Sequence, residues 1–119
     1  MEEKRRQDRI KLMTFTAVYD LEKGSLLGYL GDLTQQGAML VASKPLKVNQ
    51  RLVLEIAFHG TPEAPASRMT LSARVAWCGS EPRTVFFKIG LEFLDPTEQN
   101  KQVIAAVLKR YQFSPDVTD

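Results

Sequence analysis

Two short patterns hold the residues best suited to chemistry. Lys4, Arg5, Arg6, Arg9 and Lys11 crowd into the first eleven residues beside three acidic groups, and Arg5 and Arg9 stand four apart. A guanidinium fork grips an anion through two parallel hydrogen bonds, which a lysine cannot do. The second pattern, Asp32-Leu33-Thr34-Gln35-Gln36-Gly37, joins two apolar runs. It reads as a tight turn with a carboxylate and a hydroxyl at its mouth, and a glycine expected to supply a positive φ. The other 108 residues carry 11 basic and 11 acidic groups, so the net charge of +2 resides wholly in the first segment. A polyanion binder usually spreads its basic charge over a face. Charge this local suits a small anion better than a duplex.

Other chemistries lack their parts. His59 sits beside Gly60 with no Cys or second His to complete a metal shell. Cys78 follows Trp77 at the end of an alternating run and reads as a packed or surface thiol. The chain has no G-x-S-x-G, no phosphate-binding loop and no dinucleotide glycine motif, and its carboxylates are not paired by local spacing. The expectation is a binding protein rather than an enzyme, with no cofactor and no metal.

The elements that must position these residues follow from periodicity. At 119 residues, 44% apolar and 25% charged, the chain has the composition of one folded domain. Apolar residues alternate with period two in four stretches: Met13, Phe15, Ala17, Tyr19; Leu52, Leu54, Ile56, Phe58; Met69, Leu71, Ala73, Val75, Trp77; and Val85, Phe87, Ile89, Leu91, Phe93. Each predicts a strand with one buried face. Leu26–Leu33 and Gly37–Ala42 read as two more. Turn-forming clusters separate them at Glu22-Lys23-Gly24, Ser43-Lys44-Pro45, Gly60–Ser67 and Gly79–Arg83. Six short strands predict a small antiparallel barrel, closed so that no edge is left open.

The period then changes. Asp95 can cap a helix beginning at Pro96, with Glu98 completing a capping box. Val103, Ile104, Val107, Leu108 and Tyr111 form one helical stripe that should pack on the barrel, and Ser114-Pro115 ends the helix. The expected organisation is a basic arm over residues 1–11, a single barrel-plus-helix domain over 12–113, and a loose tail over 114–119. The longest apolar runs are six residues, as in Val103–Leu108, far short of the ~20 of a membrane span, so membrane insertion is not expected. The first residues lack the apolar core of a signal peptide, and the expected compartment is a reducing cytoplasm.

Taken in this order, with six strands and a final helix, the two patterns resemble those of the PilZ domain family, bacterial receptors for cyclic di-GMP. The family pairs an RxxxR motif with D/N-x-S-x-x-G. Arg5 and Arg9 match the first, preceded by Lys4; Asp32, Thr34 and Gly37 match the second, with Thr34 where serine is usual. Val75-Ala76-Trp77 and Ile89-Gly90-Leu91-Glu92-Phe93 are similar to the family's later strands. The resemblance implies a mainly β fold, a six-stranded split barrel with a C-terminal helix. It implies cyclic di-GMP as ligand and an effector protein as partner, in the control of motility, surface attachment or exopolysaccharide production.

The chemistry of that ligand fits these residues. Arginine pairs with guanine N7 and O6 in a bidentate contact worth about 1–3 kcal/mol of discrimination, and it bridges phosphate oxygens equally well. The resemblance assigns Arg5, Arg6 and Arg9 to such contacts. Asp32 can accept from guanine N1–H and N2–H₂, which adenine does not offer. Thr34 keeps the hydroxyl, and Gly37 allows close backbone approach. Trp77 could stack on a base or an arginine, although its alternation with Ala73 and Val75 places it in the core. Two alternatives stand beside this reading: a small nucleic-acid-binding barrel, and a PilZ-like protein adaptor without nucleotide binding. Nucleic acid is the weaker partner, because the aromatics fall largely with the apolar face (Phe15, Tyr19, Phe58, Phe87, Phe93).

Overall fold

The structure is a computed structural model that describes residues 16–59 and 66–112, the last three by backbone only. The basic arm, Met13, Phe15, most of the Gly60–Ser67 turn and the tail lie outside the described residues. Six strands form: β1 (Ala17–Asp20), β2 (Ser25–Leu33), β3 (Gly37–Ala42), β4 (Arg51–Phe58), β5 (Ser67–Ser80) and β6 (Phe87–Leu94). One helix, α1 (Glu98–Gln112), follows. All pairings are antiparallel and close a barrel in the order β1-β2-β3-β6-β5-β4. The expected mainly-β barrel with a C-terminal helix is therefore the observed fold. Strand direction alternates around it. The β1–β2, β3–β4 and β5–β6 connections thus share one end, and the β2–β3 turn shares the other with the start of β1.

The alternation of β4 and β5 lands as expected. Leu52, Leu54, Ile56 and Phe58 face inward, as do Met69, Leu71, Ala73 and Val75. With Leu30, Leu40 and Ile89 they form a continuous apolar core. Burial of this kind is the main favourable contribution to folding, at about 25 cal/mol per Å² of apolar surface.

β1 takes the opposite face from the expected one. Thr16, Val18 and Asp20 are buried, while Ala17 and Tyr19 are only half-buried. Val18 pairs with Ile56 across β4, and Ile56 faces inward, so Val18 must follow it. A one-residue change of register moves every side chain of a strand to its other face. Asp20 tolerates burial because its Oδ1 accepts from the N–H groups of Glu22 and Lys23 at 3.0 and 3.1 Å, closing the β1–β2 turn.

β6 also begins later than the alternation predicts. Val85 lies in the preceding turn, where Glu81 N–H bonds the Phe86 carbonyl at 3.0 Å. Phe87 is half-buried against the core; Ile89, Leu91 and Phe93 are inward as expected.

The helix starts at Glu98, not Pro96, and its cap is Thr97 rather than Asp95. Thr97 Oγ1 accepts from Asn100 N–H, and Asn100 Oδ1 accepts from Thr97 N–H, both at 3.0 Å. This reciprocal pair satisfies two N-terminal donors. Asp95 instead has φ 46°, a left-handed turn that frees Thr97 to cap. Ile104 and Val107 are buried, and Val103 and Leu108 pack beside them. The stripe therefore covers the protein's own barrel. Asn100 Nδ2 also donates to the Thr70 carbonyl of β5 at 3.1 Å, pinning the helix start to the sheet. Asn100→Ala is expected to lower unfolding free energy by about 1–2 kcal/mol in urea titration. An equal loss from the exposed neighbour, Gln99→Ala, would refute the cap.

Candidate ligand groove

Asp32, Thr34, Gly37 and Trp77 line one open groove on the outside of the barrel, with a volume of ≈ 380 Å³. Strand register explains how they meet. Asp32 pairs with Met39, Met39 with Gly90, and Gly90 with Trp77. These four residues make one rung across β2, β3, β6 and β5. At 4.7–4.9 Å per strand, Asp32 and Trp77 lie about 14 Å apart on one face. The next outward-facing rung, beyond the inward one of Ala38, Leu91 and Val75, runs from Gly37 through Glu92 to Arg74.

Trp77 is the clearest departure from the sequence reading. Simple alternation puts it in the core, yet it is 48% exposed. The cause is a bulge. Val75 pairs with Leu91 and Trp77 with Gly90, leaving Ala76 as an extra residue. A bulge reverses the side-chain phase beyond it. Gly90 completes the arrangement, since a Cβ there would collide with the indole ring of Trp77. The ring thus lies over bare backbone, and its exposed surface is available to a flat ligand.

The Asp32–Gly37 turn is held by its own hydrogen bonds. Thr34 N–H bonds the Gly37 carbonyl at 2.9 Å. Thr34 Oγ1 accepts from Gln36 and Gly37 N–H, each at 3.2 Å, and donates to the Gly37 carbonyl at 3.3 Å. The hydroxyl thus shapes the turn, through bonds that a serine hydroxyl could make equally well. Asp32 Oδ1 accepts from Leu33 N–H at 2.9 Å. Its other oxygen has no hydrogen bond among the described residues, and the side chain is exposed.

Gly37 has no positive φ; among the described glycines only Gly24 does. Its requirement is space. A Cβ on Gly37 would run into the Leu91 carbonyl oxygen of β6. Met39 lies close over Gly31, its Cε 2.8 Å from where a Cβ would stand.

Arg74 is the cation among the lining residues, and the sequence reading did not single it out. Its Nε and Nη2 donate to Glu92 Oε1 at 3.0 and 2.8 Å, and its Nη1 donates to Asn49 Oδ1 at 2.7 Å. Opposed charges on neighbouring strands were the available signal, but it becomes visible only once the β5–β6 register is known. Gln35 ties the turn to α1 through a 3.2 Å bond from Nε2 to the Lys101 carbonyl. Arg5, Arg6 and Arg9 lie outside the described residues. Among the described residues no cluster of ligating side chains could hold a metal ion, and no helix is long and apolar enough to cross a membrane.

The groove therefore offers a carboxylate oxygen without a partner among the described residues and an aromatic face, beside a guanidinium whose charge is balanced by Glu92. That set suits a ligand carrying a flat ring with hydrogen-bond donors on its edge. In comparison with known proteins, no curated protein matches the chain. The family model described as PilZ domain matches residues 3–110.

Proposed function

The chain belongs to the PilZ domain family, a family of cyclic di-GMP receptors and adaptors, and on that premise we propose that the groove between Asp32 and Trp77 is its cyclic di-GMP site. The observation that carries the reading is the shared rung. The family motif residue Asp32 and the flat face of Trp77 lie on one exposed surface beside Arg74. Asp32 accepts from guanine N1–H and N2–H₂. Trp77 stacks under a base, and such stacking is worth about 1–3 kcal/mol. Arg5, Arg6 and Arg9 bind the phosphates and the guanine Hoogsteen edge. Thr34 and Gly37 act on the ligand through the shape of the turn.

The path of the chain supports a contribution from the arm. Leu30 N–H bonds the Thr16 carbonyl at 2.9 Å, so β1 begins beside β2, two residues before Asp32. An extended chain spans about 3.3–3.6 Å per residue, and Arg9 is seven residues from Thr16. That reach covers the groove. In this reading residues 1–11 order over the bound ligand, and the free-energy cost of ordering holds affinity to a moderate value. The changed surface is then read by an effector protein in the cytoplasm, in the control of motility, attachment or exopolysaccharide production.

The test is a calorimetric isotherm of the whole chain with cyclic di-GMP and with cyclic di-AMP. Saturable binding of about micromolar strength or tighter is expected for the first only. Asp32→Ala should narrow the difference between the two ligands by about tenfold or more, because the pairing that distinguishes guanine is gone. Equal affinity of the unaltered protein for both ligands would sink the reading.

A further inference from the structure

The barrel end opposite the Asp32–Gly37 turn carries a pattern that nucleotide binding does not use. Turns are ordinarily built from glycine, proline and short polar residues. The three connections at this end instead hold out apolar side chains. Leu21 is 44% exposed in the first turn, and Leu26 is 48% exposed where β2 leaves it. Val48 is 52% exposed in the β3–β4 connection, and Val85 and Phe86 are 79% and 46% exposed in the β5–β6 connection. Of the large apolar side chains exposed among the described residues, only Tyr29 and Trp77 lie elsewhere.

These tips are fixed in place. The Asp20 carboxylate binds the first turn through Glu22 and Lys23 N–H. In the second, Gln50 N–H bonds the Lys47 carbonyl at 3.1 Å, and Gln50 Oε1 accepts from Lys47 N–H at 3.3 Å. In the third, Thr84 Oγ1 accepts from Phe86 N–H at 3.1 Å and donates to the Glu81 carbonyl, also at 3.1 Å. Folding an apolar tip back onto the barrel would break these bonds.

Charge at this end is one-sided. Lys23, Lys44, Lys47, Arg51, Arg83 and Lys88 face only Asp20, Glu22 and Glu81. Asp20 is buried in its turn, and Glu81 is paired with Lys88 at 3.1 Å. Lys23, Lys44, Lys47 and Arg83 have no ion-pair partner among the described residues. Residues 12–119 balance overall, so this excess is a local feature of the barrel end.

We infer that this end docks peripherally on an anionic lipid surface. Separate apolar tips on three turns, each with a lysine or arginine in or next to its turn, can enter the headgroup boundary one by one while lysine and arginine meet anionic headgroups. Shallow apolar insertion and basic charge are each marginal alone and become effective together. A protein partner is better served by one contiguous, tightly packed apolar centre with charge at its rim. Docking this way leaves the Asp32–Gly37 turn, at the far end, open to water.

The experiment is co-sedimentation of the whole chain with vesicles of phosphatidylcholine and phosphatidylglycerol, beside vesicles of phosphatidylcholine alone. Binding is expected only to the mixed vesicles and should weaken as salt rises. Val85→Glu with Phe86→Glu, or Lys44→Glu with Lys47→Glu, should lower the partition coefficient by about tenfold or more. The urea midpoint should stay unchanged, because these side chains are exposed. Failure to sediment, or equal binding to both kinds of vesicle, would overturn the inference. So would a concentration-dependent dimer that Phe86→Glu abolishes, which would assign the end to a second copy of the chain.

Discussion

Arg5→Ala is expected to weaken cyclic di-GMP binding by at least about tenfold, and Arg5→Ala with Arg9→Ala by about a hundredfold or more. A hydrogen bond to a charged group contributes about 1.5–3 kcal/mol, and every 1.4 kcal/mol is a factor of ten in affinity. Charge and shape separate in the conservative variants. Arg9→Lys keeps the charge but loses the fork, so it should recover only part of the loss. Binding by the arm should also weaken as salt rises, because its arginines meet phosphate. The readout specific to ordering is amide exchange over residues 1–11, which should slow on ligand addition. Unchanged affinity in Arg5→Ala would remove the arm from the site. Unchanged exchange with full affinity loss would keep the contact and remove the ordering.

Gly37→Ala should give the largest loss of stability from an added methyl group among the described glycines, about 2–3 kcal/mol, at the upper part of the usual range for overpacking. The added Cβ would meet the Leu91 carbonyl oxygen, and it would stand 3.2 Å from the carbonyl carbon and 3.4 Å from Glu92 Cα. All three are backbone atoms of β6, so no side-chain rotation relieves the clash. β3 and β6 must separate where Gly37 pairs with Glu92. The Arg74–Glu92 ion pair, 2.8 Å on the same rung, would shift with them, so ligand binding should fall as well. Gly79→Ala supplies the control. Nothing lies within 4 Å of a Cβ built on Gly79, and its φ is not positive. Its unfolding free energy should change by no more than about 0.5 kcal/mol. Equal urea midpoints for the two variants would show that close strand approach is not what Gly37 provides.

The same comparison separates what is local from what is not. Leu52 to Phe58 and Met69 to Val75 announce their buried faces because period two belongs to a single strand. Val103, Ile104, Val107 and Leu108 announce theirs because a helical stripe belongs to a single helix. The Asp32–Gly37 motif is visible because a turn is contiguous. Six strands and one helix, and the family to which they belong, were therefore legible in the amino-acid order.

Trp77, Val18, Val85 and Arg74 were not. Trp77 faces outward because β5 gains Ala76 against β6, and a bulge exists only between two strands. Val18 turns inward because β4 presents Ile56 to it. Val85 leaves the sheet because the β5–β6 turn closes from Glu81 to Phe86. Arg74 joins the groove because β6 places Glu92 opposite it. The amino-acid order by itself determined the elements, the apolar core of β4 and β5, and the motif on which the proposed site rests. Only the tertiary structure decided which face each remaining side chain took, because facing depends on the register between strands distant in sequence. That register put a tryptophan expected in the core onto the surface on the same rung as Asp32, and the antiparallel strand order gathered the apolar turns at the other end of the barrel, with cations that lack an ion-pair partner among the described residues.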